Sequence, residues 1–347
     1  MDIVSVARSL QVGADERALT QTLLNDTVAE AFDRVTMLYN SPFIGRHSLG
    51  DGTSSHDFPI VGNSPEDGVY HIPGQFIEGG TTAQTKLNIS VDDPWIKAIR
   101  LPYIDQVLAR WDVVAKAAQE CARITAERLE SLSIRMALLA ARTGSVANIH
   151  DGGNRVNVVN AGGRAAAFPL NSTGADAFEQ QIATLARQMD EDNLPRALGD
   201  RVLVTTPYMV QVLTNSNRLT NADFTNRASP GGVDISSRAI GTIHGFAVME
   251  PTNFMPTTNI TNDLPKYNGN FSAAGSYAAG FAEPVALALV RSSNGAAVAM
   301  PEVGGGVSSL VHSDNNRDST LVRTRVMFGM GVWCPWLAGE ITVSTNA

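Results

Sequence analysis

Between residues 112 and 142, apolar or small positions recur at steps of three and four: Val114, Ala118, Cys121, Thr125, Leu129, Leu132, Met136 and Leu139. That period lays one continuous apolar stripe along a helix. Lys116, Glu120, Arg123, Glu127 and Glu130 form a second, charged stripe. Within it, Lys116–Glu120 and Arg123–Glu127 stand at the four-residue spacing of helical ion pairs. About 30 residues at 1.5 Å each predict a rod of roughly 45 Å, with Gly144 placed to terminate it. Ala115, Ala122 and Ala126 widen the apolar stripe, which favours packing on a sheet over a coiled coil.

The pattern before this helix has the period of strands. Phe58 and Ile60, then Tyr70 and Ile72, stand two apart, and Leu87, Ile89 and Val91 alternate with Lys86, Asn88, Ser90 and Asp92. Turn chemistry is dense between them, at Gly62-Asn63-Ser64-Pro65, Pro73-Gly74 and Gly79-Gly80. Residues 46–92 therefore predict a long β-hairpin. Such a hairpin, with few core residues, is costly to order alone and suits a role laid against a neighbour. Residues 14–38 carry a polar helical pattern (Leu19, Leu23, Val28, Phe32, Val35) that needs another surface to lie on, so residues 1–45 are expected to form an arm.

After the long helix, residues 144–174 are rich in Gly and Asn and predict a loop or a boundary between lobes. An α/β pattern follows. A helix is expected at Asp176–Asp192 with Thr173 as its cap, a strand at Arg201–Val204, a short helix at Tyr208–Leu213 and a strand at Phe246–Glu250. Residues 252–276 look like an exposed loop, and Ala278–Arg291 centres on an apolar strand. Further strands are expected at Thr320–Trp333 and Gly339–Ser344, and no internal repeat is visible.

Charged residues make up 17% of the chain, below the roughly 25% usual for soluble domains. Less surface is built to stay in water, as suits a subunit that buries itself against others. The net charge of −8 and the lack of a basic run argue against a general nucleic-acid binder. The N-terminus lacks the marks of a signal peptide, and no apolar run reaches the ~20 residues of a membrane span. Cys121 and Cys334 are expected to be buried free thiols.

A search for catalytic chemistry is negative. The six histidines show no zinc-site spacing, and no phosphate loop, dinucleotide fingerprint or nucleophile elbow is present. Asp314-Asn315-Asn316-Arg317-Asp318 starts like a calcium loop, but the required glycine is missing and Arg325 occupies the position of the bidentate carboxylate. Without a signal peptide, Asn88-Ile89-Ser90 and Asn171-Ser172-Thr173 match the glycosylation pattern by chance. No catalytic residue, cofactor or metal site is expected.

Three strings, in order, carry a resemblance. His56-Asp57-Phe58-Pro59-Ile60-Val61-Gly62 is similar to the first E-loop strand of capsid proteins from short-tailed, podovirus-type phages. Asn193-Leu194-Pro195 through Arg201-Val202-Leu203-Val204-Thr205-Thr206-Pro207-Tyr208 resembles a helix end, strand and Pro-Tyr turn of their A-domain. Ile240 through Pro251, with its Gly245-Phe246 turn, resembles the next A-domain strand. From about residue 30 onward the order of parts resembles the Hong Kong 97 phage capsid fold.

The resemblance implies an α+β fold of arm, E-loop hairpin, P-domain with a long spine helix, and α/β A-domain. Its expected bounds are an N-terminal arm at 1–45, the E-loop at 46–92, a P-domain at 93–174 with the spine at 112–142, and an A-domain at 175–311. Returning P-domain strands at 312–335 and a C-terminal strand at 336–347, in the A-domain, complete it. It implies a major capsid protein of the virion, forming hexamers and pentamers of an icosahedral shell that encloses phage double-stranded DNA without sequence-specific binding. Assembly would take place in the host bacterial cytoplasm. Glu66, Asp67 and Glu78 near the hairpin tip would pair with a neighbour's basic residues. A portal protein and a decoration or cement protein are further implied partners; no membrane is involved.

Two departures from the family shape the expectation. Lys86, the only lysine in residues 46–92, lies in the returning strand, so a Lys–Asn weld between subunits is not expected. The arm begins almost at Met1, so a separate scaffolding protein is expected. The rival readings are an encapsulin-like nanocompartment shell and a cytoplasmic α/β enzyme.

Overall fold

A computed structural model describes residues 36–50, 52–62, 73, 74, 76, 82–108, 113–146, 150–197, 199–215, 233, 234, 239–249, 252–272, 282–293, 295–314 and 318–345. The predicted arm helix at 14–38 and the strand pair Tyr70 and Ile72 lie outside these residues, save for 36–38.

In chain order the strands are β1 (Ile44–Leu49), β2 (Ser55–Val61), β3 (Gln84–Ser90), β4 (Trp95–Pro102), β5 (Asn154–Val159), β6 (Arg201–Thr205), β7 (Val233–Asp234), β8 (Ala239–Ile240), β9 (Thr242–Ile243), β10 (Phe246–Val248), β11 (Glu283–Val290), β12 (Val298–Asp314), β13 (Ser319–Phe328), β14 (Gly331–Val332) and β15 (Ala338–Ser344). The helices are α1 (Tyr103–Leu108), α2 (Val113–Ala141), α3 (Gly163–Ala167), α4 (Ser172–Glu191) and α5 (Pro207–Thr214). One sheet runs β1-β12-β13-β4 with β14 beside β12, and a six-stranded sheet runs β5-β15-β11-β6-β10-β9. β2 and β3 pair only with each other.

Helix α2 joins the two sheets. Near its start, Ala117, Ala118 and Ala122 pack on Val322 of β13, the small side chains letting helix and sheet approach closely. Thr125 Oγ1 and Thr324 Oγ1 meet at 2.8 Å, a satisfied polar pair in an otherwise apolar seam. Its later turns, through Leu129, Leu132 and Ala137, join the main core with β11 and β15. Packing on sheet is thus what the widened stripe predicts.

β6, β11 and β15 are buried nearly along their whole length, which is why they read as continuous apolar runs. On one face, Gly339 of β15 lies under Leu185 and Met189 of α4. On the other, the adjacent Glu340 meets the end of α2, where Arg142 Nε approaches its carboxylate at 2.9 Å. Arg155, its register partner on β5, reaches the same carboxylate at 3.2 Å. Arg142 also donates to the Asn270 and Ala282 carbonyls and lies over the Phe271 ring.

Several expectations are corrected. Residues 44–49 do not belong to the hairpin: β1 pairs in parallel with β12, and the hairpin is Ser55–Val61 with Gln84–Ser90. The stretch 144–174, expected as loop, holds β5 and α3, because Val156 and Val158 carry a short strand pattern beneath the surrounding Gly and Asn. Gly144 does not close α2 in a left-handed turn. The chain instead crosses the helix end at Gly153, whose N–H donates to the Thr143 carbonyl and where a Cβ would come within 2.5 Å of Ala141 backbone. α4 starts earlier than expected, capped by Asn171 Oδ1 accepting from Gly174 N–H and not by Thr173.

Of the stretch 252–276, the described residues 252–272 are less exposed than predicted, with Met255, Tyr267 and Phe271 buried. Asp263 there takes Arg128 at 2.6 Å and Arg135 at 2.9 Å, so this stretch clamps α2 along its flank. The long strand β12 has no counterpart in the expectation, because Gly304, Gly305 and Gly306 break its alternation; a register shift between Glu302 and Val307 marks the place. It also carries residues 298–311, expected in the α/β lobe, into the other sheet.

The junction at Glu340 gives the first prediction. Glu340→Ala leaves the buried Arg142 guanidinium, and the partly exposed Arg155 beside it, without their carboxylate and is expected to cost roughly 3–5 kcal/mol, read by chemical denaturation of the unassembled subunit. A loss within about 0.5 kcal/mol, the size of a surface substitution, would show that the junction carries no such weight.

Candidate assembly surface

The hairpin is fixed at its root. Phe58 of β2 and Ile89 of β3, on one face of the hairpin, turn towards Ala299 of β12, with Leu87 and Trp333 packed beside them. The Phe58 and Trp333 rings stand 5.1 Å apart, and Trp333 Nε1 donates to the Pro59 carbonyl at 3.1 Å. His47 of β1 stacks on His56 of β2 at 3.7 Å, and His56 meets the edge of Phe58. Farther along, a His150 ring nitrogen contacts the Val61 carbonyl at 2.9 Å, while its ring stacks on Trp336. At the exit of β3, Asp92 is held by Lys266 at 2.6 Å and by the Tyr267 hydroxyl, which donates to it.

On the solvent side of the hairpin, Asp57 accepts from Lys86 at 2.7 Å and from Asn88 at 2.6 Å. These bonds hold the Asp57 carboxyl below its ordinary value and the Lys86 amine above its own, so Lys86 is a charged strut in the root. Above the root, Phe76 is 97% exposed.

The other anchored segment is the end of the arm. Glu130 of α2 accepts the Leu38 N–H at 2.8 Å and the Tyr39 N–H at 3.0 Å, like an N-cap supplied from another element. The Tyr39 hydroxyl donates to Glu302, which also pairs with Arg46 at 2.9 Å. Burial pushes the Glu130 carboxyl above the usual carboxylate range, against the pull of the backbone N–H groups.

Of the residues singled out from sequence, Glu66, Asp67 and Glu78 lie outside the described residues. The charged stripe on α2 holds in part. Arg123 pairs with both Glu120 and Glu127 on the exposed face, and Lys116 is exposed. No Lys116–Glu120 pair forms, since Glu120 turns to Arg123 one turn away. Glu130 is a correction: it is 3% exposed and serves the arm, because α2 is enclosed on more sides towards its middle than a surface helix. Sequence reading passed over His47, Trp333 and Glu302; the pairings of Trp333 and Glu302 span about 256 to 275 residues of chain, and no local pattern announces them.

Among the described residues no group of His, Cys, Asp or Glu could hold a metal ion, and no helix is long and apolar enough to cross a membrane. Cys121 and Cys334 are buried free thiols, with burial pushing Cys334 up to about 12.

A hairpin docked by its root, a helix that bridges two sheets and a doubly covered α/β sheet together define a capsid subunit of the Hong Kong 97 fold. Its relatives among solved structures agree. The capsid of Cyanophage P-SCSP1u superposes with a TM-score of 0.69 at 22% identity, covering 88% of this chain and 86% of that one. The mature capsid of bacteriophage PhiM1 gives 0.69 at 14% identity, covering 90% and 88%. The capsid of a native GTA particle gives 0.54 at 10% identity, covering 92% and 90%. No curated protein sequence matches. The family model of the Gp10A-like major capsid proteins matches residues 57–342, and the chain belongs to that family. It is a structural protein of the phage capsid shell and not an enzyme.

Glu130 gives a prediction with a definite sign. Its raised carboxyl contributes stability that is fully present below its unfolded value and is lost as pH rises through the folded one. The stability advantage of wild type over Glu130→Gln is therefore expected to shrink as pH rises from the ordinary carboxylate range through the raised folded value, measured by denaturation at each pH. A difference that grows over this window would contradict a burial-dominated carboxyl.

Proposed function

We propose that this subunit assembles into hexamers and pentamers of an icosahedral shell around double-stranded DNA, with the hairpin segment at 63–81 laid over the adjacent subunit. Phe76 carries the reading: a large apolar ring at 97% exposure sits beyond a root that is firmly docked on its own subunit. An exposed aromatic in a segment bearing Glu66, Asp67 and Glu78 and no Lys or Arg has both the apolar and the charged chemistry of an interface. Charge pairs made by these acids would set register more than strength.

In this reading the five-stranded sheet with the first half of α2 is the P-domain, and the six-stranded sheet is the A-domain. Contacts between subunits are non-covalent, since Lys86 is tied to Asp57 within the root. Assembly proceeds in the host cytoplasm with a separate scaffolding protein, and the finished shell meets a portal and a decoration protein. The net charge of −8 accords with enclosing DNA without gripping it.

Two outcomes are expected. Deleting residues 63–80 leaves a folded subunit that closes no shells in negative-stain micrographs of protein co-expressed with its scaffolding protein; intact shells from the deletion refute the bridging role. Purified shells boiled in detergent run as single 36.9 kDa chains, and a ladder of multiples would refute the non-covalent assignment.

A further inference from the structure

Arg128, Arg135 and Arg142 stand seven residues apart along α2 and its end. Seven residues bring a helix back to nearly the same face, so the three form one row. All three meet the same stretch of chain. Arg128 and Arg135 take the two carboxylate oxygens of Asp263, at 2.6 and 2.9 Å. Arg142 donates to the Asn270 carbonyl and lies over the Phe271 ring.

That stretch is bonded to itself. Ile260 and Gly269 exchange both backbone hydrogen bonds, at 3.0 and 3.1 Å, and so close the loop between them. Within the closure the Asp263 N–H donates to Asn268 Oδ1, the Leu264 N–H donates to Asp263 Oδ1, and Pro265–Tyr267 form a 3-10 turn. A segment whose polar groups are satisfied from within and held by buried partners moves as a unit.

The far side of this loop holds the hairpin. Lys266 Nζ meets Asp92, just beyond β3, at 2.6 Å, and the Tyr267 hydroxyl donates to the same carboxylate at 2.5 Å. That hydroxyl also accepts the Met330 N–H at 3.2 Å. Beside Met330, Gly329 passes so close to the hairpin exit that a Cβ there would stand 2.1 Å from the Ser90 carbonyl oxygen. Asp92 N–H donates to the Phe328 carbonyl at 3.0 Å. The exit of the hairpin is therefore gripped between the connection after β13 and the loop that rides on the arginine row.

We infer that residues 260–271 are a strut that sets the direction in which the hairpin leaves the subunit. Asp263 engages the arginine row at one end, and Lys266 and Tyr267 hold Asp92 at the other; Asp263 and Lys266 are its positioning residues. The ring contacts of Phe58 and Trp333 tie the hairpin to the five-stranded sheet. The strut ties it instead to the later half of α2, the half that packs with β11 and β15. A shift of the helix in the α/β lobe is carried through the strut to the hairpin exit. The use of that direction in assembly rests on the bridging hairpin proposed above; the strut itself is a property of the single subunit.

The test is hydrogen exchange on the full-length unassembled subunit, read by mass spectrometry. Asp263→Asn keeps an oxygen for the Leu264 N–H and removes the charge that holds both arginines. Asp263 is bonded to no residue of the hairpin, yet in this variant the Val91 and Asp92 amides, which bond to the Ser54 and Phe328 carbonyls, are expected to exchange about tenfold faster. The amides of β11 and β15 are expected to keep wild-type rates. Lys266→Met is expected to give the same local acceleration and Lys266→Arg to restore wild-type rates. Wild-type exchange at Val91 and Asp92 in folded Asp263→Asn would overturn the strut. A uniform acceleration of all amides would overturn it too, since a residue that only adds general stability gives that pattern. Should Asp263→Asn fail to fold, Arg128→Gln takes its place with the same expected and refuting results. Deletion of residues 63–80 tests the bridging reading separately, so either can fail alone.

Discussion

The buried contact between Arg142 and Glu340 is the hinge of the whole architecture. Arg142 is the first residue past the long helix, and Glu340 lies in the C-terminal strand of the six-stranded sheet, wholly enclosed. Alone, either charge would be expensive to bury. Together, with Arg155 from the neighbouring strand and two backbone carbonyls completing the guanidinium's bonds, they fix the direction in which the helix enters the α/β lobe. Since the same helix starts on the five-stranded sheet, this end-point sets the relation of the two sheets. Apolar packing supplies most of the stability, but it is tolerant of sliding. A buried charge pair, with Arg142 Nε shared between both carboxylate oxygens of Glu340 and its other nitrogens held by backbone carbonyls, is not.

The same logic divides the hairpin. Its root is held by aromatic stacking and directional bonds: Phe58 on Trp333, His47 on His56, the Trp333 indole on the Pro59 carbonyl. Those contacts come from β1, β12 and the segment after β14, so the root cannot shift without disturbing the five-stranded sheet. Beyond it, Phe76 meets water. On the bridging role proposed above, a segment carried on so rigid a base would transmit the position of one subunit to the next. Were the root loosely packed, contacts at the tip would order the hairpin and leave the subunits free.

How much of this was legible in the sequence depended on the range of each signal. The 29-residue helix shows itself within one residue at each end because its period repeats eight times. The strands β6, β11 and β15 are legible as apolar runs, and the root pairing of β2 with β3 as clean alternation. β12 escaped because glycines interrupt it, and β5 because it lies in a stretch whose composition says loop. Glu130 had the spacing of a charged stripe, and spacing cannot show that an incoming arm will cover it. The resemblance of the Ile240–Pro251 string has a physical basis: His244 and Gly245 both take positive φ, forming the tight turn that sets β9 against β10. The Asn193–Tyr208 string is likewise held from within, as the buried Arg201 donates to the Leu194 and Pro195 carbonyls.

The low charge content takes on a sharper meaning in the folded chain. With 26 basic and 34 acidic residues, much of the cationic set lies within or between elements of one subunit, where it aligns them.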